Sequence, residues 1–274
     1  MRVLAAIVLT VLVVRPALAQ DAGAVRGGWM TDVNGVRHIV YLVLRGTVLT
    51  GVYCAPCDQP DAVAFVQDGV LNGAAVRFTL LHQPDSAPAY RETVEGTMIG
   101  DELHLTKRRQ GWKNQSTTLR LRRGTRIPFP ARAPNAARPP AYVPPGAPEP
   151  LTPESVAGLW LAQTGPAKQY FIFRRVASES RVGSQLLGLV CGPCDNPMNV
   201  SPLDNISIEG TILRFNIVHE DNGIGFDVYG PFSNIVQATI SRHEMHISAL
   251  PTYDMKATPI EMTMFGPVAY QKKN

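Results

Sequence analysis

The sequence lacks the short motifs by which several large enzyme classes are recognised. Among its 274 residues there is no Gly-x-Ser-x-Gly elbow, no phosphate-binding loop and no dinucleotide-binding glycine fingerprint. Beyond the N-terminal segment it also lacks any run of twelve or more residues with helical periodicity. We therefore expect an all-β protein, and a binding protein rather than an enzyme.

A strong excess of charge of either sign is also missing. The formal net charge is +4, and the basic residues concentrate at 107–109 and 120–126. Apart from Trp112, no aromatic side chains interleave with these residues, as a base-stacking surface would need. We therefore expect solvated strand faces here and no nucleic-acid partner.

Only one long apolar run is present, and it lies at the N-terminus. Arg2 precedes the apolar residues 3–14, and the small-x-small sequence of residues 17–19 follows them. This order is typical of a cleaved secretory signal. The run is too short to span a bilayer as a mature helix. We therefore expect a periplasmic or secreted protein with no membrane span after signal cleavage.

A proline-rich stretch divides the chain. Residues 126–153 contain ten prolines, which lack an amide donor and fix φ, so this stretch is expected to be an extended linker. At about 3 Å per residue it could hold its flanks up to about 80 Å apart. The predicted plan is a signal peptide over 1–19, a first domain over 20–125, the linker over 126–153 and a second domain over 154–274.

The two flanks of this linker are related in sequence. Residues 51–82 align with residues 188–219 without a gap, and eleven positions are identical. The identical residues include a shared Cys-x-Pro-Cys-Asp-x-Pro string, and a final histidine that is His82 in the first copy and His219 in the second. A match of this kind indicates a duplicated domain with a repeat of about 130 residues.

A looser match continues upstream of the aligned residues. There it pairs Trp29 with Trp160 and Tyr41 with Tyr170. These pairs extend the predicted repeat towards the start of both copies.

Short strand-like segments follow one another in both copies. β-branched and aromatic residues are frequent in them, and turn dipeptides such as Asn72-Gly73 separate them about every ten residues. In residues 75–82 the alternation of polar and apolar side chains places Phe78 on an inner face and Arg77 on an outer one. We expect each copy to be an antiparallel β-meander that closes as a barrel or folds as a sandwich.

Each copy contains one pair of closely spaced cysteines, Cys54 with Cys57 and Cys191 with Cys194. Thioredoxin-like redox chemistry needs the first cysteine at a helix N-terminus, but here the motif follows a strand and precedes a proline. A local disulfide in each copy is the favoured interpretation, because exported thiols are usually oxidised and each partner is three residues away. Pairing between the two copies stays open.

Zinc binding is the alternative interpretation of the same residues. The candidate ligands are sulfur and nitrogen donors that zinc prefers: Cys54, Cys57, His82, Cys191, Cys194 and His219. Oxidation of exported thiols and the length of the linker both argue against such a site. The expectation is therefore no cofactor, with zinc as the alternative.

Four residues are candidates for a binding loop. Asp58 and Asp195 follow the second cysteine of each pair and can accept amide hydrogen bonds in the turn. His82 and His219 end equivalent strands, where we expect a histidine at the barrel rim that is bonded to a loop. No catalytic residue is assigned.

These features favour an exported, non-enzymatic binding protein. Two β-domains on a tether suit recognition through two surfaces, and a disulfide-clasped loop at one end of each barrel would shape the recognition edge. The expected partner is a small ligand, a glycan or an envelope protein. The alternatives are a thiol-disulfide or metal-handling protein that uses both cysteine pairs, and an accessory protein without a ligand site.

Overall fold

Two closed antiparallel barrels of eight strands each follow one another along the chain. The computed structural model describes residues 22–57, 59–84, 88–111, 116–124, 147–164, 167–175, 186–219, 232–254, 256 and 258–268. The prediction of two tandem β-domains is confirmed, and both close as barrels rather than sandwiches. The predicted signal peptide and most of the predicted linker lie outside the described residues.

Every strand pairs with its neighbours in the chain, and the first strand of each barrel closes on the last. The strands of barrel 1 are β1 (Gly27–Val33), β2 (Val36–Arg45), β3 (Val48–Cys54), β4 (Val63–Asn72), β5 (Ala75–His82), β6 (Tyr90–Ile99), β7 (Glu102–Arg109) and β8 (Ser116–Arg123). Those of barrel 2 are β9 (Gly158–Thr164), β10 (Ala167–Arg175), β11 (Leu186–Cys191), β12 (Val200–Glu209), β13 (Ile212–His219), β14 (Phe232–Ser241), β15 (Glu244–Pro251) and β16 (Ile260–Val268).

A tryptophan occupies the same place in both barrels. Trp29 and Trp160 are fully buried. Each indole N–H donates to the carbonyl that ends a preceding helical turn, at 2.9 Å for the 3₁₀ turn Ala22–Val25 and at 2.8 Å for α1 (Pro153–Val156). The predicted equivalence of the two tryptophans is confirmed, and each of them ties the segment before the barrel to the barrel core.

The predicted match of Tyr41 with Tyr170 is wrong by two residues. Tyr41 pairs with Val52, and the corresponding pair in barrel 2 is Ile172 with Leu189. The prediction matched one tyrosine with another, but the structurally equivalent residue is an isoleucine. Tyr41 and Ile172 both face outwards into the apolar contact between the barrels. An aromatic side chain fills that place in one barrel and an aliphatic one in the other.

Side chains fill both barrel interiors. An eight-stranded barrel has an interior that side chains can just fill. In β5 the predicted alternation is confirmed: Val76, Phe78 and Leu80 lie in the core, whereas the Arg77 side chain is 70% exposed. The corresponding core of barrel 2 contains Phe215.

The barrels pack wall to wall through one apolar cluster. It joins the outer faces of β2, β3 and β4 to outward-facing residues of β9 to β13. Its buried members are Ile39, Tyr41, Val43, Val52, Cys54, Cys57, Val63, Phe65, Leu159, Ile172, Leu189, Cys191, Cys194, Val200 and Val218. The sequence left the distance between the two domains open, and the structure shows them in contact, because each carries an apolar outer wall that the other barrel buries.

The sequence of β2 explains why this wall forms. Alternate residues from Ile39 to Val43 face barrel 2, and those from Val40 to Leu44 fill barrel 1. A strand that is covered on both faces reads as a nearly continuous apolar run instead of an alternating one. Burial of apolar area contributes about 25 cal/mol per Å², so this second face stabilises the two-barrel arrangement.

Polar contacts flank the apolar wall. Arg45 of barrel 1 donates to the carboxylate of Asp204 of barrel 2 at 2.7 Å, and Arg174 of barrel 2 donates to Asp61 of barrel 1 at 3.0 Å. The Arg45 pair is solvent-exposed, so it stabilises the contact by less than about 1 kcal/mol. These pairs orient the barrels, while the apolar cluster supplies most of the association energy.

The loop of the second cysteine pair reaches across to barrel 1. Pro197 lies against Gly28 and Gly124, and a Cβ added at Gly28 would lie 2.8 Å from Pro197. Only glycine permits so close an approach of the two chains.

The end of the proline-rich stretch belongs to barrel 2. The Glu149 amide donates to the Ile240 carbonyl at 3.1 Å, and the Leu151 amide donates to the Gly210 carbonyl at 2.8 Å. Leu151 is also part of the barrel 2 core. Among the residues described, no helix is long and apolar enough to cross a membrane.

Candidate functional site

Both cysteine pairs form local disulfides. Cys54 is bonded to Cys57 with a Cα–Cα distance of 4.7 Å, and Cys191 to Cys194 with one of 4.9 Å. The favoured interpretation of the sequence is confirmed, and pairing between the two copies is wrong because each partner lies within its own turn. All four sulfurs are covalently committed.

The disulfides lie between the barrels rather than at a free edge. All four cysteines belong to the apolar cluster, and the Cys191 sulfur lies 3.7 Å from the carbonyl oxygen of Cys57. Thiol-disulfide exchange requires a thiolate to reach a sulfur atom, and this burial denies access. The geometry thus suits a structural clasp at the interface and gives no support to redox use.

Of the two aspartates in the predicted binding loops, only Asp195 lies within the described residues. Asp58 lies outside the described residues. The Asp195 side chain is exposed, and its carbonyl oxygen accepts a hydrogen bond from Arg37 of barrel 1 at 2.9 Å. The second loop is thus a bridge to the other barrel, and its role as a binding loop stays a prediction.

The two histidines lie inside the barrels, away from the cysteines. His82 bonds to Glu92 on the neighbouring strand at 2.9 Å, not to a rim loop as expected, and His219 bonds to Asn234 at 3.1 Å. The barrel wall separates these imidazoles from the outward-facing disulfides, so the alternative zinc ligands do not converge. The described residues contain no group of three or more metal-binding side chains of the His, Cys, Asp or Glu types.

A cleft of about 450 Å³ opens between the two barrels. Both barrels line it, and most of the lining residues are apolar: Val43, Thr50, Gly51, Val52, Phe65, Val66, Gln67, Asp68, Arg91, Leu187, Gly188, Pro202, Leu203, Asp204 and Val218. Clefts of this size at domain interfaces are where small molecules commonly bind. Sequence reasoning missed this site because it arises only from the packing of the barrels.

Equivalent irregularities in the two barrels shape the cleft. The pairing of β4 with β5 shifts register between Gln67 and Val70, and that of β12 with β13 shifts after Asp204. Beside each shift a residue takes a positive φ, 51° at Asp68 and 52° at Asn205. Bulges of this kind turn side chains away from the regular pleat. They present polar side chains to a wall that is otherwise apolar.

Some polar side chains of the cleft have hydrogen-bond or ion-pair partners, and others lack them among the described residues. Asp204 is neutralised by Arg45, and Asp68 is exposed. Arg91 donates to Gln67 Oε1 at 3.4 Å, and within the described residues no carboxylate lies within ion-pair distance of its guanidinium. The Gln67 side chain is buried, and no hydrogen-bond partner for its Nε2 is found in the described part of the chain. The cleft therefore contains hydrogen-bond donors in excess.

A second polar assembly lies inside barrel 1, at the end that carries the first disulfide. Glu92 Oε2 accepts from His82 at 2.9 Å and from Lys107 at 3.3 Å. Lys107 also donates to the Tyr53 hydroxyl at 3.1 Å, and that hydroxyl lies 2.7 Å from His38 Nδ1. We call His38, Tyr53, His82, Glu92 and Lys107 the barrel 1 network.

The charges of the network stabilise one another. Burial alone would raise the pKa of Glu92, but the hydrogen bond from His82 and the charge of Lys107 hold it below its ordinary value. Burial alone would lower the pKa of Lys107, yet Tyr53 and Glu92 raise it. Lys107 and Glu92 are therefore both charged near neutral pH.

The direction of the hydrogen bonds follows from these charges. Burial, and then the charge of Lys107, lower the pKa of His38, so its imidazole is neutral. An ammonium group only donates, so the Tyr53 oxygen accepts from Lys107 and the phenol proton points to His38 Nδ1. The network is satisfied internally, and it closes this end of barrel 1.

Barrel 2 has lost this network. The strand pairings place Val190 where barrel 1 has Tyr53, Asn234 where it has Glu92, and Ala249 where it has Lys107. Of the two histidines of the network, only His82 has a counterpart in barrel 2, and burial lowers the pKa of that residue, His219, to about 4. The same barrel thus forms with and without buried charges at this end.

Comparisons of the chain with protein-family models, with curated proteins and with solved structures give no match.

Proposed function

We propose that this protein is an exported, non-enzymatic binding protein that holds a small amphipathic molecule in the cleft between its barrels. The observation that carries the proposal is the cleft itself, which combines a ligand-sized volume with apolar side chains and a few polar groups. Pockets that bind small molecules share these properties and occur preferentially at domain interfaces.

The filled barrels support this choice of site. In lipocalin-type binding the ligand occupies the lumen of the barrel. Here apolar side chains such as Phe78 and Phe215 occupy the interiors, and the barrel 1 network closes one end. The space between the barrels is the better candidate for a ligand.

The export of the protein is supported by two features. Residues 1–19 have the pattern of a secretory signal, and all four cysteines are paired as disulfides. Structural disulfides persist in oxidising compartments such as the periplasm and the extracellular medium.

Binding of a neutral apolar fluorophore tests the proposal. We expect N-phenyl-1-naphthylamine to bind the mature full-length chain with a stoichiometry of one. Thr50 lines the cleft and has an exposed side chain, so Thr50→Trp should fill the space and abolish the fluorescence increase.

Thr118→Trp is the matched control. Thr118 is also an exposed, outward-facing threonine of barrel 1, but it lies on β8 and does not line the cleft. Its substitution should leave binding intact. Loss of binding in both variants, or no binding by the unchanged protein, would contradict the proposed site.

A further inference from the structure

The orientation of one amide defines the chemistry of the cleft. Arg91 can only donate hydrogen bonds, so the atom of Gln67 that faces it must be the amide oxygen. The Gln67 amide nitrogen is therefore the atom left without a partner among the described residues. A buried donor without an acceptor is costly, and an acceptor atom of a ligand that reached it would relieve that cost.

The guanidinium of Arg91 adds a charge to this donor. Its hydrogen bond to Gln67 is long, at 3.4 Å, and the described part of the chain offers no other partner to its five N–H groups. The planar arrangement of these groups matches a carboxylate in bidentate geometry. Arg91 and Gln67 both line the cleft, and among the described residues they are the ones that bring unpaired donors to it.

The acidic groups nearby do not cancel this preference. Asp204 accepts from Arg45 at 2.7 Å and from the Asn205 amide at 2.8 Å. Asp68 is solvent-exposed, where water screens its charge, whereas Arg91 is half-buried. The stronger unpaired potential is the positive one at Arg91.

The remaining lining is apolar and comes from both barrels. Val52 and Phe65 of barrel 1 lie opposite Leu187, Leu203 and Val218 of barrel 2. A ligand with a charged head at Arg91 would place its other atoms against these side chains.

On the basis of the function proposed above, we propose that the ligand of the cleft is an apolar molecule with a single carboxylate, held by Arg91 and Gln67. One guanidinium and one amide offer one positive charge, which matches a monocarboxylate and not a dianionic phosphate. Arg91 is a binding residue in this assignment, and Gln67 completes the acceptor site.

Three probes with the same chain and different heads test the assignment. Octanoate, octanol and octylammonium are titrated against the mature protein carrying N-phenyl-1-naphthylamine, and displacement gives their affinities. We expect octanoate to bind at least about tenfold more tightly than octanol, since a charge-assisted bond is stronger than a neutral one.

Substitutions then locate the preference. Arg91→Gln should remove the advantage of octanoate over octanol and leave octanol unchanged, while Arg91→Lys should retain part of it. Arg77→Gln is the control, because Arg77 is an exposed arginine on the neighbouring strand that does not line the cleft. It should leave all three affinities unchanged.

The failures of the two proposals are distinguishable. Equal affinities for octanoate and octanol, both lost in Thr50→Trp, would overturn the carboxylate assignment and keep the cleft as the site. Preference for octylammonium would also overturn it and point to Asp68. If none of the three displaces the fluorophore and Thr50→Trp has no effect, both proposals fail.

Discussion

The two barrels share a strand plan and a buried tryptophan, but they differ at one end of the interior. Barrel 1 contains a buried lysine and glutamate there, with side chains only 11% and 15% exposed, whereas barrel 2 has Ala249 and Asn234 at the same places. The fold therefore does not need the charges. A buried ion pair is weak evidence for stability, because its desolvation offsets its attraction, but breaking one is costly.

The largest expected effect comes from breaking the pair in barrel 1. Lys107→Met keeps much of the volume but leaves Glu92 buried with His82 as its remaining partner. The free energy of unfolding should fall by about 3 kcal/mol or more, measured by urea denaturation at pH 7. Lys168→Ala, at an exposed lysine of barrel 2, should change it by less than about 0.5 kcal/mol. Equal effects of the two substitutions would contradict the account of the network.

The next effect concerns the retained histidine of barrel 2. Burial lowers the pKa of His219 to about 4 from 6.5, so the unfolded chain binds more protons than the folded one between these values. The neutral, buried imidazole therefore destabilises the fold only as the pH falls. Above pH 6.5 the free energy of unfolding is unaffected by its titration, and between pH 6.5 and 4 it falls by about 3 kcal/mol. His38 and His246, whose pKa values are also lowered by burial, act in the same direction.

Substitution of His219 isolates its part of the pH dependence of the unfolding free energy. The unfolding free energy of His219→Gln should fall less between pH 7 and 4.5 than that of the unchanged protein. His38 and Glu92 are the same in both proteins, so their contributions cancel in this comparison. Identical pH profiles for both proteins would show that the imidazole of His219 is not the buried neutral group described above.

The disulfides should behave alike in the two barrels. Both close short loops, and both lie in the same apolar cluster, so we expect replacement of either pair by alanines to cost about 2 kcal/mol. Thermal unfolding of the Cys54→Ala/Cys57→Ala and Cys191→Ala/Cys194→Ala variants measures this. A large effect for one pair and none for the other would break the pseudo-symmetry of the interface.

The smallest effect is expected when both charges of barrel 1 are removed together. Lys107→Met with Glu92→Gln leaves no buried charge unpaired, and Gln can still bond to His82. The unfolding free energy should return to within about 1 kcal/mol of the unchanged protein, as the neutral interior of barrel 2 suggests. Additive losses from the two substitutions would instead mean that barrel 1 depends on its charges for folding.

The sequence predicted local features well. The duplication, the β-meanders and the local disulfides follow from short-range signals, namely the ungapped alignment of 51–82 with 188–219, the alternation in 75–82 and the three-residue spacing of the cysteines. Each of these depends on neighbouring residues or on comparison of the two copies.

The contact between the barrels was not predicted, although the sequence carries a signal for it. The proline-rich stretch left the distance between the domains open, but residues 39–44 of β2 are apolar without interruption, which is typical of a strand buried on both faces. The cleft depends on this packing, so it could not be predicted without it. Arg91 and Gln67 are 24 residues apart in the sequence. They meet only because their strands, β6 and β4, lie on either side of β5 in the same sheet.

The cleft exists only if the barrels pack against each other, and small-angle X-ray scattering of the chain without residues 1–19 tests this packing most directly. A compact particle of about 255 residues has a radius of gyration of about 18 to 20 Å. We predict a value in this range, unchanged by dilution. A value near 30 Å, as expected for two barrels held apart by an extended proline-rich linker, would contradict the interface and the cleft within it.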